Sequence, residues 1–462
     1  MSDKDFGDGR SFSRSYRSYF LILMMVISAL SVIDRTAMLT LGQSIKQDLK
    51  LSDMQFGLIS GFGIAVFYGL LGLPLARLAD TRNRVRMVSI AVAVWSIFAT
   101  LVGLSRGFLQ LMICRIVVGV GEAGVQPPTL SVISDLYPPS KRGGALAVLS
   151  IGIPLGTLIG PIGAGYLADA YSWRTVFLFL GAPGVLIAIL AWMTLREPPR
   201  GLSERKTLTE VAAPAPGFVA ICRHLMVKPS FWHIVVAVAV TNFAAAGVGS
   251  FLPQFFTRQF SLGAGQTGLM FGVISALSTL SGTVSGGVIV DWISRRDRRW
   301  YVWLPAIGCV LAAPLYVASF VLPNAIVALV ALTFAGGFLF LYYTPAQAVL
   351  QNMVEPGMRA TAAVIFYLLT SLLAFGIGPA LLGQLSDVLT AHAFGLGDFH
   401  AMCPGGLPAA GTAAGTGAAC HVASATGLRL AMGLMSCLYV WAAVHFTLAA
   451  KSVRADLNVT TD

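Results

Sequence analysis

Charge is the scarcest commodity in this chain. Only 11% of its 462 residues are Asp, Glu, Lys or Arg, and 20 acids face 31 bases. A soluble domain carries about 25% charged residues, so a water-facing globule is excluded. A mean hydropathy of +0.77 agrees, and an integral membrane protein is implied. A phosphate-cradling glycine loop of the Walker type is missing, which argues against an ATP-driven pump. No nucleophile–base constellation is visible, so no enzyme is expected. Metal-ligand spacing is missing too: His224 and His233 lie near a linker, His392, His400 and His421 precede the last apolar run, and His445 stands alone. No metal and no cofactor are therefore expected. There is no cleavable signal pattern, because the first apolar run is too long and continues past a charged pair. The net charge of +11 does not point to nucleic acid, since the basic residues sit in short loops between apolar runs, where they orient a protein in the bilayer.

What is present is a series of apolar runs, each long enough for a hydrocarbon core that needs about 20 residues. Residues 1–17 form a charged, serine-rich arm. The first half, 18–196, holds spans at about 19–45, 54–79, 86–104, 108–136, 143–168 and 174–195. A linker at 197–228 is rich in proline and charge, and a short interfacial helix fits near 217–226. The second half, 229–453, holds spans at about 230–256, 266–290, 300–321, 324–350, 360–386 and 427–450, with a long loop at 388–426, and 454–462 is a tail. Twelve spans are expected. With the N-terminus inside, about 23 of the 31 basic residues fall on the cytoplasmic side, which places both termini there.

The halves repeat. Gln55, Gly57, Leu58, Gly61 and Asp80 recur 211 positions later as Gln266, Gly268, Leu269, Gly272 and Asp291, and Arg84 recurs as Arg295. Pro161, Gly165 and Asp169 recur as Pro379, Gly383 and Asp387, 218 positions on. A collinear series of this kind marks a duplicated six-helix unit with both copies in the same orientation.

Within the fourth run, from Leu111 to Tyr137, Arg115 and Glu122 stand at depths where hydrocarbon is expected. Seven residues apart, they share one helix face. Gly119, Gly121 and Gly124 leave room for a neighbouring helix, and Pro127 and Pro128 break the helix just beyond. The first run carries Asp34-Arg35. Adjacent residues point about 100° apart and cannot pair well with each other, so each needs a partner on another span. Two acids and two arginines can neutralise one another. Such a balance serves a protonation switch, in which Asp34, Glu122 and Arg115 handle the proton and Arg35 and Glu122 meet substrate. It serves equally as a fixed structural lock. The second half offers uncharged polar positions, Asn242, Tyr342, Tyr343, Thr344, Gln347 and Tyr367, which suit either cavity lining or helix packing.

A duplicated six-plus-six bundle with this loop pattern resembles the major facilitator superfamily. The loop after span two shares Asp80 and Arg84 with that family's Gly-x-x-x-Asp-Arg-x-Gly-Arg, while Ala76, Thr81 and Asn83 depart; its repeat keeps Gly287, Asp291 and Arg295. Span four carries the Arg-x-x-x-Gly-x-Gly pattern as Arg115, Gly119 and Gly121, and span five resembles a glycine-rich antiporter motif through Gly152, Gly156, Gly160, Pro161 and Gly165. Within the superfamily the chain is similar to the Spinster branch in Asp34-Arg35, Asn83-Arg84 and Gly121-Glu122-Ala123. The Asn-Tyr that often precedes Asp-Arg there is replaced within Ser31-Val32-Ile33. Spinster-like proteins are associated with lysophospholipids and phosphorylated sphingoid bases.

The resemblance implies an all-α, twelve-helix transporter in a bacterial plasma membrane. It would export an amphiphilic substrate by proton-coupled alternating access, as a monomer with the bilayer, protons and substrate as its only partners. A small organic anion or drug is the alternative cargo, and a transport-dead receptor or scaffold the reading from another class. Asp80 with Arg84, and Asp291 with Arg295, are expected to latch helices at the cytoplasmic ends. Cys403 and Cys420 are expected to form a disulfide in the long outer loop, two free thiols being the other outcome.

Overall fold

The computed structural model describes residues 12–203, 218–355, 358–413 and 415–457, and every regular element among them is a helix. That follows from the solvent the composition demands: inside lipid each backbone N–H and C=O must find its partner within its own segment, and a helix does this alone. Eleven of the helical stretches are long and apolar enough to cross a membrane. The remaining expected span, the second, is also helical but is divided into Asp53–Gly57, a π-helical segment Leu58–Phe62, and Gly63–Thr81. Large apolar side chains such as Phe179, Leu186, Met193, Leu280 and Val288 stand exposed on these helices, as faces that meet acyl chains would.

By contacts the chain forms two compact units. The first comprises residues 1–38 and 67–213, the second 39–66 and 214–462. The division therefore does not fall only at the linker. The end of the first span, the loop after it and the start of the second span pack with the second unit.

In the first unit α1 (Arg14–Thr40) is followed, after the segment that belongs to the other unit, by the remainder of the Gly63–Thr81 helix. Then come α5 (Arg84–Val102), α6 (Phe108–Ala123), α7 (Gln126–Leu136), α8 (Pro139–Ser150), α9 (Gly152–Ala170) and α10 (Trp173–Thr194). Their local starts are legible: Asn83 caps α5 by accepting from Arg86 N, and Ser172 caps α10 by accepting from Thr175 N, each satisfying an orphan donor of a first turn. The expected fourth span is interrupted earlier than its prolines suggest. Gly124 and Val125 separate α6 from α7, and Pro127 and Pro128 sit in the first turn of α7. Proline lacks an N–H that a first turn does not use, so it opens a helix there rather than ending one.

The second unit takes α2 (Gly42–Leu49), α3 (Asp53–Gly57) and the π-helical segment, with α4 (Gly63–Thr81) crossing the division. The short α11 (Phe218–Met226) stands where an interfacial helix is expected. The long helices are α12 (Pro229–Phe260), α13 (Ala264–Ile293), α14 (Trp300–Ser319), α15 (Ala325–Phe340), α16 (Tyr343–Asn352) and α17 (Arg359–Phe394). After the small α18 (Phe399–Met402) come α19 (Thr416–Ser436), α20 (Leu438–Ala449) and α21 (Val453–Asp456). Gly57 and Gly61 let the second span touch α17 backbone to backbone: a Cβ on Gly57 would lie 2.3 Å from Pro379 O, and one on Gly61 2.6 Å from Phe375 O.

The long loop expected at 388–426 is shorter and better ordered than its composition suggests. α17 continues to Phe394, α19 begins at Thr416, and Phe394, Phe399, Cys403, Cys420 and Ala423 form a small buried cluster. Cys403 and Cys420 are joined by a disulfide with a Cα–Cα distance of 5.8 Å. Gly405, in the left-handed region at φ 69°, brings this loop onto α2, where a Cβ would lie 2.8 Å from Lys46 O. The loop is thus fastened to the segment that follows the first span.

Candidate transport site

Packing fixes the position of α1 first. Three glycines one turn apart on α9 receive it: a Cβ on Gly152 would come 2.5 Å from Met25 O, on Gly156 2.6 Å from Ala29 O, and on Gly160 2.9 Å from Ile33 Cα. Helix axes can approach this closely only where side chains are absent. The same economy brings α6 onto α5, since a Cβ on Gly121 would lie 2.7 Å from Trp95 Cβ. Two backbones held so tightly leave little freedom in where Asp34, Arg35, Arg115 and Glu122 point.

Those four side chains pair across α1 and α6. Arg115 donates from a terminal nitrogen to Asp34 Oδ2 at 2.7 Å. Arg35 donates from Nε to Glu122 Oε2 at 2.8 Å and a second time, from a terminal nitrogen, to the same oxygen. Glu122 Oε1 accepts from Ser31 Oγ at 2.7 Å. The two pairs differ in setting. Asp34 and Arg115 are both sealed, and Asp34 Oδ1 and Arg115 Nε are buried with no hydrogen-bond partner among the described residues. Arg35 is 43% exposed while the Glu122 side chain beneath it is 2% exposed. An unpartnered carboxylate oxygen in a buried site is costly and is a natural landing place for a proton or a water. An exposed guanidinium over a buried acid can be lent to an incoming anion.

Arg35 and Glu122 open onto a cavity of about 200 Å³ within the first unit. Ser28, Ser31, Gln126, Thr129 and Ser150 give it hydroxyl and amide groups, and Met24, Ile27, Trp95, Val125, Leu149 and Ile153 give it apolar wall. The same cavity can therefore meet both a charge and hydrocarbon.

The polar positions of the second half divide. Tyr342 is buried and donates to Asn242 Oδ1, and Asn242 Nδ2 donates to Thr370 O at 3.1 Å; these two tie α12, α17 and the start of α16 together. Tyr343 and Tyr367 are exposed and Gln347 is half-buried. His445 is not alone: its Nδ1 lies 3.1 Å from His233 Nδ1. Among the described residues no group of three or more potential ligands could hold a metal.

The latch expected between Asp80 and Arg84 has other partners. Arg84 is buried and binds Asp135, Glu197 at 2.6 Å, Ser131 at 2.9 Å and Pro198 O at 2.9 Å, which links α5 to α7 and to the segment after α10. Asp80 is exposed, as are Asp291 and Arg295. Helix geometry explains the exchange: Arg84 opens α5 and points into the bundle, whereas Asp80 ends the preceding helix on its outer side.

A second buried charge cluster, in the second unit, was not expected from sequence. Asp53 Oδ1 accepts from Lys46 Nζ and from Arg258, both at 2.6 Å; Asp53 Oδ2 accepts from Arg258 at 2.8 Å and from Ser386 Oγ at 2.6 Å. Arg258 Nε donates to Gln43 Oε1 at 2.8 Å. Asp387 accepts from the backbone N–H groups of Asp53 and Met54, each at 2.9 Å, and so supplies the anion that a helix N-terminus favours. Burial alone would raise the Asp53 carboxyl, but Arg258 and Lys46 beside it outweigh that and hold it below the usual carboxylate range. The one sequence signal was the capping box of Ser52 and Gln55 around Asp53, which marks a helix start and says nothing of Arg258.

Residues 23–379 match the family model of the Major Facilitator Superfamily. An MFS-type efflux pump of Mycolicibacterium smegmatis is 30% identical, over 80% of this chain and 84% of its own length. A hexuronate transporter of Bacillus subtilis is 28% identical, over 79% and 87%. Among solved structures, a bacterial homolog to the human lysosomal transporter Spinster, in an inward-facing and unoccupied conformation, superposes with a TM-score of 0.90 at 31% identity, covering 97% of this chain and all of the other.

Proposed function

This chain belongs to the Major Facilitator Superfamily and to its Spinster-like branch, a family of transporters rather than enzymes, and from that premise we propose that it is a proton-coupled secondary transporter exporting an amphiphile. The substrate has an anionic or zwitterionic head and a long apolar tail, as in a lysophospholipid or a sphingoid-type lipid. One observation carries the reading: the part-exposed Arg35 and its partner Glu122 line a cavity whose wall is otherwise built of both polar and apolar side chains. Arginine suits such a head because its planar fork binds two oxygens at once and does not deprotonate. When Glu122 takes a proton, its hold on Arg35 weakens and the guanidinium turns to the head group; when the proton leaves, the pair reforms and the substrate is released. Asp34, with one oxygen unpartnered beside Arg115, is the second proton site. The protein acts as a monomer in a bacterial inner membrane with both termini cytoplasmic and works by alternating access, and Asn242, Tyr342, Tyr343, Gln347 and Tyr367 are the second half's candidates for substrate contact.

Proteoliposomes with an internal pH dye test this. Lysophosphatidylglycerol should provoke proton movement in the wild type, and Asp34→Asn and Glu122→Gln should each abolish it while the purified proteins remain folded. Gradient-driven transport persisting in both variants refutes the coupling. A second reading, a small hydroxylated organic anion, is favoured by the hydroxyl and amide groups of the cavity and by the likeness to the hexuronate transporter. A thermal-stabilisation screen of lysolipids against hexuronates separates the two.

A further inference from the structure

Glu122 divides its two carboxylate oxygens between different kinds of donor. Oε2 is held by Arg35 and Oε1 by the hydroxyl of Ser31 at 2.7 Å. Ser31 and Arg35 are four residues apart on α1, so they stand one turn from each other on the same face and reach the same acid on α6. The two donors are not equivalent once a proton arrives. A guanidinium can only donate, and it loses its reason to stay when the carboxylate becomes an acid. A hydroxyl can reverse: it donates to a carboxylate and accepts from a carboxylic acid.

We propose that Ser31 is a positioning residue for Glu122, a reversible partner that keeps the acid in place while Arg35 departs for the substrate. In the charged state Ser31 donates to Oε1. When a proton from the aqueous side binds Oε1, that O–H donates to Ser31 Oγ instead, and the serine hydrogen turns back to the carbonyl of Ile27, four residues earlier on its own helix, as helical serines can. The new O–H of Glu122 is then not left buried without an acceptor, an unmade bond that would be costly. The cavity is where this exchange has room, since Ile27, Ser31, Arg35 and Glu122 all line it.

The charged groups near Glu122 are otherwise engaged. Asp34 and Arg35 come from α1 and Arg115 from its own helix, and Asp34 and Arg115 are engaged with each other. Trp95 of α5, Val125 and then Gln126 and Thr129 of α7 bring no charge. Ser31 bonds Glu122 through a hydroxyl, a group that can exchange roles.

The inference rests on the proton-switch reading above, and its test keeps the two apart. In pH-difference infrared spectra of the purified protein, the carboxyl C=O band that disappears in Glu122→Gln reports protonation of that residue without any substrate. In Ser31→Ala the midpoint of this band should move to higher pH by about one unit, because the charged form loses a stronger bond than the neutral form does. Ser31→Thr should restore the wild-type midpoint, and Ser31→Val, of the same shape without the hydroxyl, should not. A merely structural role would reduce the amount of folded protein and leave the midpoint where it was. An unchanged midpoint in both Ser31→Ala and Ser31→Val, with the Glu122 band still titrating, overturns the role of Ser31 and spares the switch. A wild type with no Glu122 band across the working pH range overturns the switch itself and this inference with it.

Discussion

Replacing Asp53 by Asn removes the acid that neutralises two buried cations. Asp53 accepts four side-chain hydrogen bonds, two from Arg258 and one each from Lys46 and Ser386, all between 2.6 and 2.8 Å. Lys46 and Arg258 are each 3% exposed, so neither can turn to water. With Asp387 the cluster holds two charges of each sign; after the substitution it carries an excess positive charge, and the amide N–H group faces donors. Removing one member of a buried pair costs about 3–5 kcal/mol, most of it from the uncompensated partner. That range is expected for Asp53→Asn in SDS-driven unfolding from mixed micelles. Adding Lys46→Met restores the balance, so the double variant should be less damaged than the two single losses combined, with a coupling of about 1–3 kcal/mol. The pH dependence has a definite sign. Because Asp53 is held below the usual carboxylate range in the folded protein, its contribution is present above the unfolded value of about 3.9 and is lost as pH falls through the lower folded value. From about pH 5 upward Asp53 itself should therefore add no pH dependence to stability. A loss below about 1 kcal/mol for Asp53→Asn, or no coupling with Lys46→Met, would refute the reasoning.

Arg35→Ala should weaken binding of anionic-headed lysolipids by about tenfold or more and leave neutral amphiphiles little affected, and Arg35→Lys should recover little because an ammonium cannot present the two-pronged fork; equal losses for both ligand types by thermal stabilisation would make Arg35 structural. Gly156→Val should prevent stable assembly of the first unit, since its Cβ would meet Ala29 O at 2.6 Å, and a monodisperse elution profile with wild-type thermal stability would contradict that close approach. Peptide mapping without reduction should recover Cys403 and Cys420 as a cross-linked pair, and removing the bond, which closes a separation of 17 residues, should destabilise the second unit by about 3 kcal/mol in the chain-entropy model.

Much of the architecture was legible because the bilayer leaves few choices. A run of apolar residues long enough to cross must be a helix, and the collinear series from Gln55 to Asp80 and from Gln266 to Asp291 reports a duplicated unit without any coordinates. The four charges of the candidate site were legible for the same reason: Asp34, Arg35, Arg115 and Glu122 are too costly in hydrocarbon to stand unpaired. Sequence left open which acid meets which arginine. That depended on the depth at which α9 glycines seat α1 and on the turn of α6 against α5, both of which are matters of backbone approach. Ser31 was visible only as a departure from a family pattern until its hydroxyl was seen on Glu122. The cluster around Asp53 was beyond sequence reading altogether. Lys46, Asp53 and Arg258 each lie near a helix end, where a charge ordinarily faces water, Asp387 lies inside α17, and the four are separated by up to 341 positions. Only the folding of 39–66 into the second unit buries them together. Once buried, they must neutralise one another, because no solvent remains to do it.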